Sequence, residues 1–288
     1  MIAVLGMVVV TLSVLGGFVL EGGPLSLLVQ PVEWLIIGGT ALGTLAISAP
    51  RQHLSDLLRA VRRMITGIGS SRGAYVDLLR LQYELFVNVK KHGFIALERD
   101  VIDPASSSIF SKYPSFLSRP HAVTFLSDSL RLLVDGGVSP WDLEGLLDRE
   151  VETHHDEALK PVNILSKLGD TLPGLGIVAA VLGIVISMQG IDGPAAKMGH
   201  NVAVALIGTF LGVLLAYGFV NPLAAGVESA MEKELNYLLC IKAGIIAFAK
   251  GSAPFVAVEF ARRVVFSHER PALDEVEAVT MAVTPRTA

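Results

Sequence analysis

Two apolar stretches hold the residues whose types and spacing suggest chemistry. In "GDTLPGLGIVAAVLGIVISMQG", Asp170 and Pro173 stand at the entry of a run that carries no charge between Pro173 and Gly190. Gly176, Ala180, Gly183 and Ser187 follow at spacings of 4, 3 and 4, which makes one face of small residues on a helix. In "VAVALIGTFLGVLLAYGFVNP", Gly208, Gly212 and Ala216 recur every four residues, with Thr209 beside them and Pro222 at the end. A third stretch, "EWLIIGGTALGTL", repeats the theme with Gly39, Gly43, Thr40 and Thr44. Small residues let helix backbones approach closely in a bilayer, where no hydrophobic force draws helices together. A threonine hydroxyl there either bonds back to the preceding turn or offers a polar point to a passing ion. Pro173 is either a helix start or, if the helix runs through, a missing donor to the Gly169 carbonyl.

The middle of each stretch lacks Asp, Glu, Lys, Arg and His. Ion-moving proteins need an ionisable group inside the membrane, so any carrier group must come from another chain. Enzyme chemistry finds no support. His154 and His155 are adjacent and point about 100° apart on a helix, so they cannot clamp one metal as an i,i+4 pair would. The acidic run "DLEGLLDREVETHHDE" reads as a solvated helix face. There is no phosphate loop, nucleophile elbow or zinc-protease motif. The expectation is no catalytic residue, no metal and no cofactor.

These stretches need membrane-spanning helices to position them. Hydrophobic residues make up 52% of the chain, charged residues 17%, and the mean hydropathy is +0.58. Crossing ~30 Å of hydrocarbon at ~1.5 Å per residue takes ~20 apolar residues. Four runs qualify: 2–20, 34–49, 172–188 and 202–220, the second extended by interfacial Trp34. No Lys or Arg precedes the first run, and a second span follows it closely, so it reads as a retained helix rather than a cleaved signal. Loop 21–33 has no Lys or Arg and loop 191–201 only Lys197, whereas 51–168 holds fifteen and 223–288 seven. The positive-inside tendency places both termini and the large insertion in the cytoplasm. One cysteine, Cys240, excludes an intramolecular disulfide, and a net charge of -4 gives no reason to expect nucleic acid.

The fold expected is all-α, with four transmembrane helices and a helical cytoplasmic domain. Its segments are 1–50 (spans 1 and 2), 51–168 (cytoplasmic domain), 169–222 (spans 3 and 4) and 223–288 (C-terminal helices and a tail frayed from Ser267). Leu78, Leu81, Leu85 and Val89 form one helical stripe, and Gly136–Gly137 stops a second helix. Ser139 is an N-cap before Pro140, and "DPASSSIFSKYPSFLSRP" is the main loop.

Residues 169–224 resemble the third and fourth spans of the MotA family of flagellar motor stator subunits. The blocks "TLPGLGIVAAVLG" and "ALIGTFLGVLLAYGFVNPLA" carry most of that resemblance, "EWLIIGGTALGTL" matches the second span, and "KKHGFIALERDVIDP" matches the rotor-facing segment. The resemblance implies a homo-oligomer, a pentamer around a dimer of a single-span MotB-type partner that carries the membrane aspartate. It implies torque on the rotor protein FliG, and contact with membrane lipid. Carried over onto this sequence, the ion path takes in Asp170, Pro173, Ala180, Thr209, Tyr217 and Pro222. Rotor contact falls on Lys90, Lys91 and Glu98, with Glu150 as a further acidic position. Sodium-type relatives carry threonine where this chain has Ala180, so protons are the expected ion. The other readings are a TolQ/ExbB-like channel energising outer-membrane processes, and a membrane scaffold without ion flux. TolQ and ExbB have three spans, and the four-span count favours the stator.

Overall fold

The structure, a computed structural model, describes residues 2–66, 71–190 and 192–281, apart from the Arg51 side chain. The helices in chain order are α1 (Ile2–Leu20), α2 (Pro31–Ser48), α3 (Arg51–Thr66), α4 (Arg72–His92), α5 (Glu98–Ile102), α6 (Pro114–Leu117), α7 (Pro120–Asp135), α8 (Pro140–Met188), α9 (Ala195–Val213), α10 (Asn221–Ala249), α11 (Pro254–Val264) and α12 (Leu273–Met281). No strand occurs among the described residues. Four helical stretches are long and apolar enough to cross a membrane: α1, α2, α8 and the run from Ala195 to Ala249.

The chain forms two compact units, Met1–Ile68 with Ala158–Ala230, and Gly69–Glu157 with Met231–Ala288. The first holds the spans. α1 buries no residue against the rest of the chain, as expected of a helix whose surroundings are apolar on all sides. α2 starts at Pro31, three residues before the expected start, because proline suits the first helical position. That earlier start brings Glu33 into the first turn. The fourth span differs from the expected uninterrupted α-helix. Leu214–Val220 is a π-helix, and the Asn221 N–H bonds the Ala216 carbonyl five residues back. Pro222 follows and has no N–H to give the Gly218 carbonyl, which disfavours the ordinary ladder here.

The second unit is a helical domain whose core is built around α4. The expected stripe Leu78, Leu81, Leu85 and Val89 is buried, together with Tyr75 and Phe86. It packs against Tyr237, Ile241 and Ile245 of α10 and Ala257, Val258 and Ala261 of α11. The polar groups inside are tied down. The Tyr75 hydroxyl donates to Asn236 Oδ1 at 3.0 Å, and Gln82 Nε2 donates to the Ile241 carbonyl at 2.9 Å. Arg119 lies 4.6 Å from the Tyr237 ring centroid, and burial pushes the Tyr237 hydroxyl and the Cys240 thiol well above their ordinary pKa values. Ser139 caps α8 as expected, accepting from the Asp142 N–H at 3.1 Å. Gly136 and Gly137, at φ 74° and 84°, end α7 in a backbone conformation that glycine adopts without strain.

Three expectations need correction. The stretch expected as the main loop contains α6 and a 3-10 turn at Phe110–Lys112, because Phe110 and Phe116 are fully buried. The tail is ordered beyond Ser267: α12 buries Val276, and Glu275 pairs with Arg72 at 2.6 Å. Residues 282–288 of that expected tail lie outside the described residues. Part of the acidic face of α8 is engaged rather than solvated, since Asp148 pairs with Lys242 and Glu144 with Lys250, while Leu143, Leu147 and Val151 are buried.

One backbone position governs how closely α4 and α10 meet. A Cβ on Gly244 would lie 2.7 Å from Gln82 Oε1 and 2.8 Å from Nε2. Gly244→Ala therefore forces Gln82 off the Ile241 carbonyl. A destabilisation of about 1–3 kcal/mol is expected, read as a lower denaturant midpoint of this helical unit. An unchanged midpoint would show that Gln82 relocates freely.

Candidate ion path and rotor-facing surface

The third and fourth spans meet through their small residues. A Cβ on Gly176 would lie 2.6 Å from the Gly208 carbonyl oxygen and 3.2 Å from the Thr209 Cα. A Cβ on Gly212 would lie 2.6 Å from the Leu172 carbonyl and 2.9 Å from the Gly176 Cα. Gly183 faces Ala205 in the same way, and Ala179 and Ala180 pack on Gly208. The small face of α8 is occupied by α9 of the same chain, so close helix packing is its use within the chain.

Pro173 lies inside α8, not at its start, so the helix passes through it and the Gly169 carbonyl loses its usual donor. The Asn221 amide rests on Gly169, where a Cβ would come within 1.7 Å of Asn221 Oδ1. This links the turn before Pro173 to the residue that ends the π-helix. Asp170, Tyr217 and Pro222 are exposed, Pro173 and Thr209 half-buried, and Ala180 buried. The hydroxyls of Thr40, Thr44 and Ser187 bond back to the preceding turn, whereas Thr209 makes no such bond.

Glu33 was missed by the sequence reasoning. It is 4% exposed, and its Oε2 has no hydrogen-bond partner in the chain. That oxygen lies 2.7 Å from where a Gly208 Cβ would be, and Oε1 is 3.8 Å from the corresponding point on Gly183. The carboxylate thus sits on the seam between the third and fourth spans, in space that two glycines leave open. The available signal was "QPVE": a proline at N1 draws the glutamate two residues later into the span.

The rotor-facing candidates lie in the other unit. Lys90 and Lys91 end α4, Gly93 stops that helix at φ 79°, and Glu98 opens α5, so the interruption expected at this glycine is present. All three charged side chains are exposed. Glu150 lines a cleft between α7 and α8 with His121, His154 and Glu157, and none of the three tip charges reaches that cleft. Partial burial, then the nearby Asp128 carboxylate, raise the Glu150 carboxyl above its ordinary pKa. His154 stacks on His121 with ring centroids 5.5 Å apart. Among the described residues, no group of three His, Cys, Asp or Glu could hold a metal.

This arrangement defines a polytopic helical membrane protein of the ion-channel class. Residues 120–239 match the model of the MotA/TolQ/ExbB proton channel family, and residues 4–93 match that of the motility protein A N-terminal region. Motility protein A of Salmonella typhimurium is 39% identical over 283 residues, 98% of this chain and 96% of that protein. The chemotaxis protein LafT of Vibrio parahaemolyticus is 34% identical, over 95% of this chain and 96% of LafT. Two solved structures share the fold at 20% identity: C. jejuni MotAB, with a TM-score of 0.78 over 94% of this chain and 98% of that one, and the flagellar MotAB stator complex of Bacillus subtilis, with 0.75 over 96% and 98%. The chain belongs to the motility protein A family.

The seam gives a direct test. Gly176→Ala places a methyl group against backbone atoms that cannot swing aside, whereas a Cβ on Gly199 meets nothing within 4 Å. Gly176→Ala should lower the thermal stability of the purified complex by several degrees and Gly199→Ala should leave it unchanged. Equal stabilities would mean that α8 and α9 are held apart by other contacts.

Proposed function

We propose that this stator subunit conducts protons with a MotB-type partner and converts the flow into torque on the rotor protein FliG. The observation that carries the reading is the wall formed by α8 and α9. It has a proline inside a continuous helix at one end, a π-helix before Pro222, and no Asp, Glu, Lys, Arg or His between 172 and 188 or between 202 and 220. α8 and α9 supply no ionisable group of their own, so one must come from a neighbouring helix: α2 brings Glu33 to the seam, and a partner chain supplies the carrier in this reading. The structural neighbours are MotAB complexes, which supports a MotB-type partner; in this reading it is a single-span chain that bears the membrane aspartate. Five copies surround a partner dimer in this reading, in contact with lipid at the bacterial inner membrane.

Asp170, Pro173, Thr209, Tyr217 and Pro222 flank the path, and Glu33 adds a carboxylate on the same seam. Ala180 offers no hydroxyl to replace a hydration shell, and it is buried against Gly208, which supports protons over sodium. Protonation of the partner's aspartate relaxes the turn at Pro173, and the motion passes to a rotor contact at Lys90, Lys91 and Glu98, with Glu150 in support. Lysine at position 90 or 91 presents a point charge without the planar fork of arginine.

Both termini and the helical domain are cytoplasmic in this account. A cysteine introduced at exposed Glu21 or Asp192 should react with a membrane-impermeant thiol reagent added to intact cells, and one at exposed Ser106 should react only after lysis. Labelling of Ser106→Cys in intact cells would reverse the orientation.

The gate is tested at Pro173. Pro173→Ala restores a donor to the Gly169 carbonyl and stiffens the turn. It should assemble normally yet give much less torque per fluorescently counted stator unit. Normal torque per unit would remove the proline from the mechanism.

A further inference from the structure

A second feature of the membrane unit lies between α1, α2 and the fourth span. α1 and the π-helix touch where Gly218 leaves room for Val10: a Cβ on Gly218 would lie 3.1 Å from Val10 Cγ1. Beside that contact lies a cavity of about 310 Å³, with Val14 and Leu15 of α1 on one wall and Phe210, Leu214 and Phe219 on the other. Leu28, Val29 and Trp34 also line it.

Water does not suit this space. A buried water needs two to four polar partners. The polar side chains of the lining are Thr11 and Trp34, and the Thr11 hydroxyl already donates to the Met7 carbonyl at 2.8 Å. An empty apolar cavity leaves its walls without dispersion contacts on one side. The occupant must therefore be apolar, and at this position the surrounding medium supplies one.

We propose that the cavity is a binding site for a single lipid acyl chain, entering beside Trp34. Tryptophan is enriched where the hydrocarbon meets the headgroups, and Trp34 stands in the first turn of its span. The headgroup finds no anchor. Residues 21–33 contain no Lys or Arg, and the charges in that stretch are the carboxylates Glu21 and Glu33. The site therefore recognises the chain and not the headgroup, and anionic lipids gain nothing there.

The test uses the complete complex with its partner, reconstituted in phosphatidylcholine vesicles. The probe is phosphatidylcholine carrying a diazirine near the end of one acyl chain. Photolabel should concentrate on Val14, Leu15, Phe210 and Leu214 over Leu5 and Leu12, which are 64% and 65% exposed on α1. It should not increase when phosphatidylglycerol replaces part of the vesicle lipid. Val14→Trp should fill the cavity and abolish that labelling while the complex stays assembled. Leu15→Phe serves the same purpose where the larger residue prevents assembly. Label spread evenly along α1 would mean annular lipid only and overturn the site. Label missing from the cavity, with disulfides forming between copies that carry Leu15→Cys, would show a second copy filling it and overturn it equally. A strong preference for phosphatidylglycerol would overturn recognition of the chain alone.

Discussion

Backbone-to-backbone contact between α8 and α9 is the constraint on which the membrane unit depends. Within a bilayer neither helix gains by leaving lipid for the other, so association rests on close packing. Gly176, Gly208 and Gly212 remove the side chains that would hold the helices apart. That same closeness shapes the site. It buries Ala180, leaves Thr209 half-exposed at the edge of the seam, and opens at Gly183 and Gly208 the space that holds the Glu33 carboxylate. A glutamate so placed, with one oxygen unbonded, is costly in a membrane protein unless it is used or neutralised.

The second unit is held by different means. Its core is a conventional aromatic and aliphatic one, with Tyr75, Phe86, Phe116 and Tyr237 fully buried and Phe86 stacked on Phe248 at 4.4 Å. Ion pairs add local ties. Glu259 accepts from Arg262 and Arg263, and those hydrogen bonds hold its carboxyl down at about 2. The depressed pKa makes this contribution present above the ordinary carboxylate value and lost as pH falls through about 2. The exposed tip with Lys90, Lys91 and Glu98 lies outside this bracing.

Much of the fold was legible because long apolar runs, helical periodicity and glycine stops act locally. The stripe from Leu78 to Val89, the stop at Gly136–Gly137 and the cap at Ser139 each depend on a few neighbouring residues. Features that depend on distant residues were not legible. Glu33 looks like a loop residue until the third and fourth spans are laid against it. The face of Gly176 and Gly183 signals close packing in the sequence, but not that α9 is the helix that covers it. The segment at 103–120 has the composition of a loop, and only Phe110 and Phe116, buried against the rest of the domain, order it. The rotor and ion-path assignments entered through family resemblance, since no local pattern in a single chain encodes a contact with another protein.

The π-helix at Leu214–Val220 has a consequence for register. A π turn spends more residues on a given rise than an α turn does, so it acts as a surplus residue carried inside the span. Each residue of an α-helix turns the chain by about 100°. The surplus therefore sets which way Asn221 points, and with it the placement of the Asn221 amide over Gly169. A single deletion between 214 and 220 would leave the span long enough for the bilayer and nearly unchanged in hydropathy, yet every side chain after it would face a different neighbour. In this stretch residue count is as binding as residue identity.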